Sequence, residues 1–122
     1  MTQDSLLQLR DVIRDFAQAR DWEQFHTPKN LSMALSVETS ELMEHFQWLT
    51  PEQSRQLSVD SRAAVGQEIA DVLIYLTRLA DVLDIDPVQA AFEKIQINAQ
   101  KYPVEQSRGN NTKYNRLDPS VK

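Results

Sequence analysis

The stretch Arg62–Leu83, RAAVGQEIADVLIYLTRLADVL, decides the fold. Val65, Val72, Tyr75, Leu79 and Val82 recur along it at helical spacing, and from Ile69 to Leu76 it is apolar on nearly every side. A helix of that kind belongs in the centre of a bundle. The run Val72–Tyr75 suits a strand by residue type, but the periodic segment around it is too long for one. Glu68 stands where the stripe calls for an apolar residue, and Asp71 is the only charge between Ile69 and Leu76.

The same pattern appears upstream. Thr27-Pro28 gives an N-cap and a first helical position, and the helix it starts carries Leu31, Leu35, Leu42, Phe46 and Leu49 on one stripe. Glu38 interrupts that stripe, with Glu41 one turn on. Leu6, Leu9, Val12/Ile13 and Phe16 mark an earlier amphipathic helix ending near Arg20-Asp21. Thr50-Pro51-Glu52-Gln53 repeats the start signal with a capping-box Gln. A short turn and a linker to about Asp60 should follow, then the Arg62–Leu83 helix. Asp86-Pro87 starts a last long helix, stopped near Tyr102 by Pro103. The expectation is an all-α, four-helix-bundle-like domain over residues 1–103, followed by a polar, unstructured tail over 104–122.

Composition narrows the function. The 122 residues are 41% hydrophobic and 25% charged, enough for one globular domain. There is no cysteine, which excludes thiolate chemistry and Cys-type zinc sites and fits a reducing cytoplasm. No membrane span or signal peptide is visible. A net charge of -5 disfavours a nucleic-acid polymer as partner. With only Gly66 and Gly109, there is no Gly-rich phosphate loop.

The two acidic pairs therefore carry the chemistry. Burying a carboxylate costs several kcal/mol unless something compensates it. Residues three apart on a helix have Cβ atoms about 5–6 Å apart, so antiparallel packing of the two helices would gather Glu38, Glu41, Glu68 and Asp71 in one cleft. Converging carboxylates repel, and without a cation at least one should stay protonated. Oxygen-only ligands select Mg²⁺ or Mn²⁺ over zinc or copper. The plainer alternative is a solvated helix face. Di-iron chemistry does not fit, because neither His26 nor His45 follows a Glu by three residues on a paired helix.

Around the acids, Trp22 in a polar connector suits stacking on a base. Trp48 is either core packing or a substrate contact, and Tyr75 follows Asp71 by one turn. Lys94, Asn98 and Lys101 share one side of the last helix, where they face either solvent or phosphates. His26 reads as a hydrogen-bonding pocket residue, and His45 as facing solvent.

These motifs resemble a known family. Glu38-x-x-Glu41, 26 intervening residues and Glu68-x-x-Asp71 are similar to the all-α nucleoside triphosphate pyrophosphohydrolases of the MazG-like superfamily. Arg20–His26, Pro28–Leu31, Phe46–Trp48, Asp71–Leu76, Lys101–Pro103 and Ser107–Asn110 resemble its dCTP pyrophosphatase branch. The likeness runs from about Leu9 to Tyr114. It implies that Glu38, Glu41, Glu68 and Asp71 bind Mg²⁺ and include the catalytic acid–base group. It further implies nucleotide contacts from Trp22 through His26 (Phe25 among them), Trp48 and Tyr75, to which Lys29, Asn30, Asn98, Lys101 and Tyr102 are added as candidates. The reaction so implied cleaves a (deoxy)nucleoside triphosphate, dCTP or a modified cytidine nucleotide first, to the monophosphate and pyrophosphate. A homodimer or homotetramer is expected. Two departures are visible: Ser40 replaces a frequent Gly, and Ile13 stands where some dCTP-selective relatives carry a substrate-contacting His, which loosens any strict dCTP preference.

Overall fold

A computed structural model of the chain describes residues 3–117. It contains the helices α1 (Gln3–Ala19), α2 (Pro28–Glu44), α3 (Pro51–Ser54), α4 (Val59–Val82), α5 (Pro87–Lys101) and α6 (Val104–Ser107). Single 3₁₀ turns lie at Glu23–Phe25 and Tyr114–Arg116. The described residues contain no strand, so the protein is all-α as expected.

Local chemistry sets the helix starts. Thr27 is extended at ψ 153° and its side chain accepts from the Asn30 amide, which satisfies one of the free N–H groups at the head of α2. Thr50 and Gln53 form the expected capping box, each side chain accepting from the other's backbone N–H. Asp86 caps α5 through the amides of Val88 and Gln89. The ends of α1 and α4 share a second device. Trp22 N–H donates to Ala17 O and Asp21 N–H to Gln18 O, with Asp21 at φ 53°. Ile85 N–H donates to Ala80 O and Asp84 N–H to Asp81 O, with Asp84 at φ 55°. Both are Schellman closures with Asp in the left-handed position that glycine usually takes.

Three boundaries depart from the sequence reading. α2 stops at Glu44, not near Leu49, because the chain tightens there: Phe46 N–H donates to Met43 O and Leu49 N–H to Phe46 O. Pro51 then holds Thr50 extended. α4 begins at Val59, three residues before Arg62, because Ser58 accepts from the Ser61 amide. The expected unstructured tail instead forms α6 and the Tyr114–Arg116 turn; residues 118–122 lie outside the described part.

The chain divides into two compact units, Met1–Ile85 and Asp86–Lys122. In the first, α4 is the central element and packs against both α2 and α1. His26 meets Arg78 and His45 meets Glu68. Rising numbers on one side thus meet falling numbers on the other, so α2 and α4 run antiparallel. Among the described residues the buried apolar side chains are Ala17, Leu31, Val65 and Ala80. The expectation that α4 is covered all round fails within one chain, since Ile69 and Leu76 are 53% and 44% exposed. Two neighbouring helices cannot cover every side of a third.

Candidate active site

Antiparallel packing brings the acids of α2 against those of α4. One carboxylate oxygen each from Glu38, Glu41 and Glu68 lies within 4.8 Å of the other two. Asp71, the fourth expected ligand, is exposed and stands outside this trio, although its charge still reaches Glu38 and Glu68. Burial pushes the Glu38 carboxyl up to about 7, reinforced by a hydrogen bond and the charge of Glu41 and by the charges of Asp71 and Glu68. Glu68 is raised by burial first, then by Glu41 and Asp71, with His45 opposing. His45 does not face solvent as expected: it is half-buried, with Nε2 3.8 Å from Glu68 Oε1. Glu44, one turn beyond Glu41, is exposed.

Buried oxygens without donors show what the cluster fits. Glu38 Oε2 and Glu68 Oε2 are buried and have no hydrogen-bond partner. A buried acceptor left unmade is costly, and a hard cation satisfies oxygens that no protein donor reaches. The donor set is all carboxylate, which suits a divalent metal of the Mg²⁺ type.

The connector between α1 and α2 builds an aromatic corner. The closure at Asp21 turns the chain so that the Trp22 ring meets Phe16 edge-on, centroids 5.7 Å apart, and His26 at 6.3 Å. Trp22 remains 43% exposed and Phe25 60%. Arg20 stacks on the other aromatic of the corner, its guanidinium carbon 3.5 Å from the Phe16 centroid. Asn30 Nδ2 donates to Phe25 O at 3.0 Å, so Asn30 ties the connector to the head of α2. Lys29 is exposed beside it, and Tyr75 is half-buried on α4. Trp48 is 86% exposed, which removes core packing within the chain as its role. Asn98, Lys101 and Tyr102 belong to the second unit, where Tyr114 meets Tyr102 edge-on at 6.1 Å and Lys101 Nζ at 5.0 Å.

A charged network beneath the corner was not anticipated. Arg78 is 6% exposed; it donates through Nε to His26 Nδ1 and through Nη1 to Asp81 Oδ2. Asp81 also accepts a two-pronged pair from Arg14 of α1, at 2.9 and 2.6 Å. The signal was available: Arg78 and Asp81 interrupt an apolar run at i,i+3, as the acidic pairs do.

Comparison with known proteins shows the family. The MazG-like family model matches residues 33–117. dCTP pyrophosphatase 1 of Mus musculus is 44% identical over 115 residues, which span 93% of this chain and 68% of that protein. The Homo sapiens dCTP pyrophosphatase 1 is 42% identical over the same shares. The crystal structure of a pyrophosphatase from Archaeoglobus fulgidus DSM 4304 superposes with a TM-score of 0.77 at 41% identity, covering 81% of this chain and 93% of that one. With its paired acids on antiparallel helices and matches of this extent, the chain belongs to the MazG-like family.

Proposed function

We propose that this chain is a Mg²⁺-dependent nucleoside triphosphate pyrophosphohydrolase. It splits the α–β phosphoanhydride of dCTP or a modified cytidine nucleotide, releasing the monophosphate and pyrophosphate. The observation that carries this reading is the meeting of Glu38, Glu41 and Glu68, two of whose buried oxygens lack donors. Three converging acids alone would repel a triphosphate. A divalent cation held there supplies neutralisation of charge on the phosphate oxygens and a lower pKa for the attacking water. Glu38, Glu41 and Glu68 would hold the ion, with Asp71, outside the trio, as the fourth proposed ligand, and one of the four would accept the proton. Trp22 and Phe25 offer faces for the base, and His26, Lys29, Asn30, Trp48 and Tyr75 complete the nucleotide contacts. The test is to incubate the protein with dCTP and Mg²⁺ and resolve the products. dCMP plus pyrophosphate is expected; dCDP plus phosphate would move the cleaved bond and sink the assignment.

The working form is a cytoplasmic homodimer or homotetramer. Its support is the exposed apolar side chains of the two helices that carry the acids: Met33 and Val37 on α2 are 58% and 56% exposed, and Ile69 and Leu76 on α4 are 53% and 44% exposed. Large exposed apolar patches mark interaction sites in soluble proteins. Among the described residues no helix is long and apolar enough to cross a membrane. Sedimentation should return a mass two or four times that of the 14.1 kDa chain, and Ile69→Glu should shift it to smaller species. A monomeric wild type would remove the oligomer.

A further inference from the structure

The Arg78–His26 contact has a chemical consequence for the aromatic corner. A guanidinium keeps its protons in proteins, so in the 3.1 Å bond from Arg78 Nε the His26 Nδ1 can only accept. The single proton of the neutral ring then sits on Nε2. Nε2 has no hydrogen-bond partner among the described residues, and the ring lies beside the exposed Trp22, 6.3 Å between centroids. A partly exposed indole and an unused N–H donor therefore stand side by side.

We propose that Arg78 is a positioning residue that locks His26 as an Nε2–H donor, and that this donor reads a carbonyl oxygen of a pyrimidine base lying on Trp22. The second half rests on the proposal that the nucleotide binds at this corner. A base carbonyl fits better than a phosphate, because the ring is held neutral. Burial lowers the His26 pKa first and the Arg78 charge lowers it further, while Glu23 works in the opposite direction. The charged groups around the ring are Arg78 and Asp81 of α4, Glu23 of the connector and, through Asp81, Arg14 of α1. Glu23, whose carboxylate lies 3.8 Å from Arg78 Nη2, adds a negative charge that a phosphate would meet.

Two measurements test the two halves separately. The chain has two histidines, so ¹⁵N spectra of the histidine rings in the nucleotide-free protein are simple to assign. His26 should show a protonated Nε2 and a bare Nδ1, and Arg78→Met should mix the tautomers and raise the ring's titration. A proton on Nδ1 in the wild type, or an unchanged spectrum in Arg78→Met, overturns the positioning role whatever the enzyme's substrate. The second measurement compares His26→Asn with His26→Gln, because the Gln amide reaches the place of Nε2 and the Asn amide only that of Nδ1. His26→Asn should raise KM for dCTP about tenfold, the scale of one lost hydrogen bond, with kcat nearly unchanged. His26→Gln should recover most of that loss, and inhibition by inorganic triphosphate should be the same in both. Equal KM values in the two variants would remove the base contact. Parallel weakening of triphosphate inhibition in His26→Asn would transfer the contact to a phosphate and overturn the base assignment.

Discussion

Replacing Glu68 by Gln is expected to lower kcat/KM for dCTP by at least about a hundredfold and to abolish stabilisation by Mg²⁺. Groups that merely orient a metal's ligands cost about 10–100-fold when removed, so loss of a ligand sets a higher floor. Gln keeps the shape of the side chain but removes a charge from the trio and puts an amide where Oε2 is buried without a donor. The pH dependence gives a second readout. In the metal-free protein the Glu38 carboxyl is raised to about 7 from an ordinary 4.5, chiefly by burial. The folded state therefore holds a proton there that the unfolded chain has already released. Between about pH 4.5 and 7 metal-free stability should fall as pH rises, and by about pH 8 the loss should be complete. Thermal melts in chelator and in Mg²⁺, from pH 5 to 8, measure this directly. Mg²⁺ should raise the melting temperature most at the alkaline end, and Glu38→Gln should flatten the chelator curve. Melts indifferent to Mg²⁺ in the wild type would leave the acids as purely structural groups and sink the metal assignment.

Asp81→Ala is expected to destabilise the fold by about 3–5 kcal/mol, the usual consequence of stripping the partner from a buried charge. Asp81 stands between two guanidinium groups, accepting from Arg14 at 2.9 and 2.6 Å and from Arg78 at 3.2 Å. Without it the buried Arg78 cation keeps only His26 and the distant Glu23, and Arg14 adds repulsion. A loss of that size is a large share of the roughly 5–15 kcal/mol that holds a typical domain together. Arg14→Ala should cost far less, because Arg14 is 40% exposed and Asp81 would retain Arg78. The hydrogen bonds from Arg14 hold the Asp81 carboxyl below its ordinary 3.8, helped by the charges of Arg14 and Arg78. Its contribution is thus present above about pH 4 and lost as pH falls through the lower folded value. Urea titrations should show the stability gap between wild type and Asp81→Ala narrowing from pH 7 to pH 3, a comparison in which the Glu38 contribution cancels. A wild type and variant of equal stability at pH 7 would show that the network carries no net stabilisation.

The connector illustrates how unevenly the sequence discloses the site. Thr27-Pro28, Thr50-Pro51 and Asp86-Pro87 announce helix starts because capping is settled within three or four residues. The Schellman turns at Asp21 and Asp84 carry no glycine, so the usual stop signal is missing, and the end of α2 is overshot for the same want of a mark. Trp22 and His26 were readable as pocket candidates from their polar surroundings. The guanidinium that fixes His26 was not, because it lies 52 residues away.

The chain's own pattern determined the all-α class, the helix heads and the fact that two acidic pairs sit in apolar stripes, since periodicity and capping are properties of neighbouring residues. Only the tertiary structure decided which acids meet. The antiparallel register of α2 on α4 gathers Glu38, Glu41 and Glu68 and leaves Asp71 exposed, and it turns His45 onto Glu68. It also sets Arg78 between Asp81 and His26. Those outcomes depend on the rotation and register of packed helices, which no spacing along one helix contains.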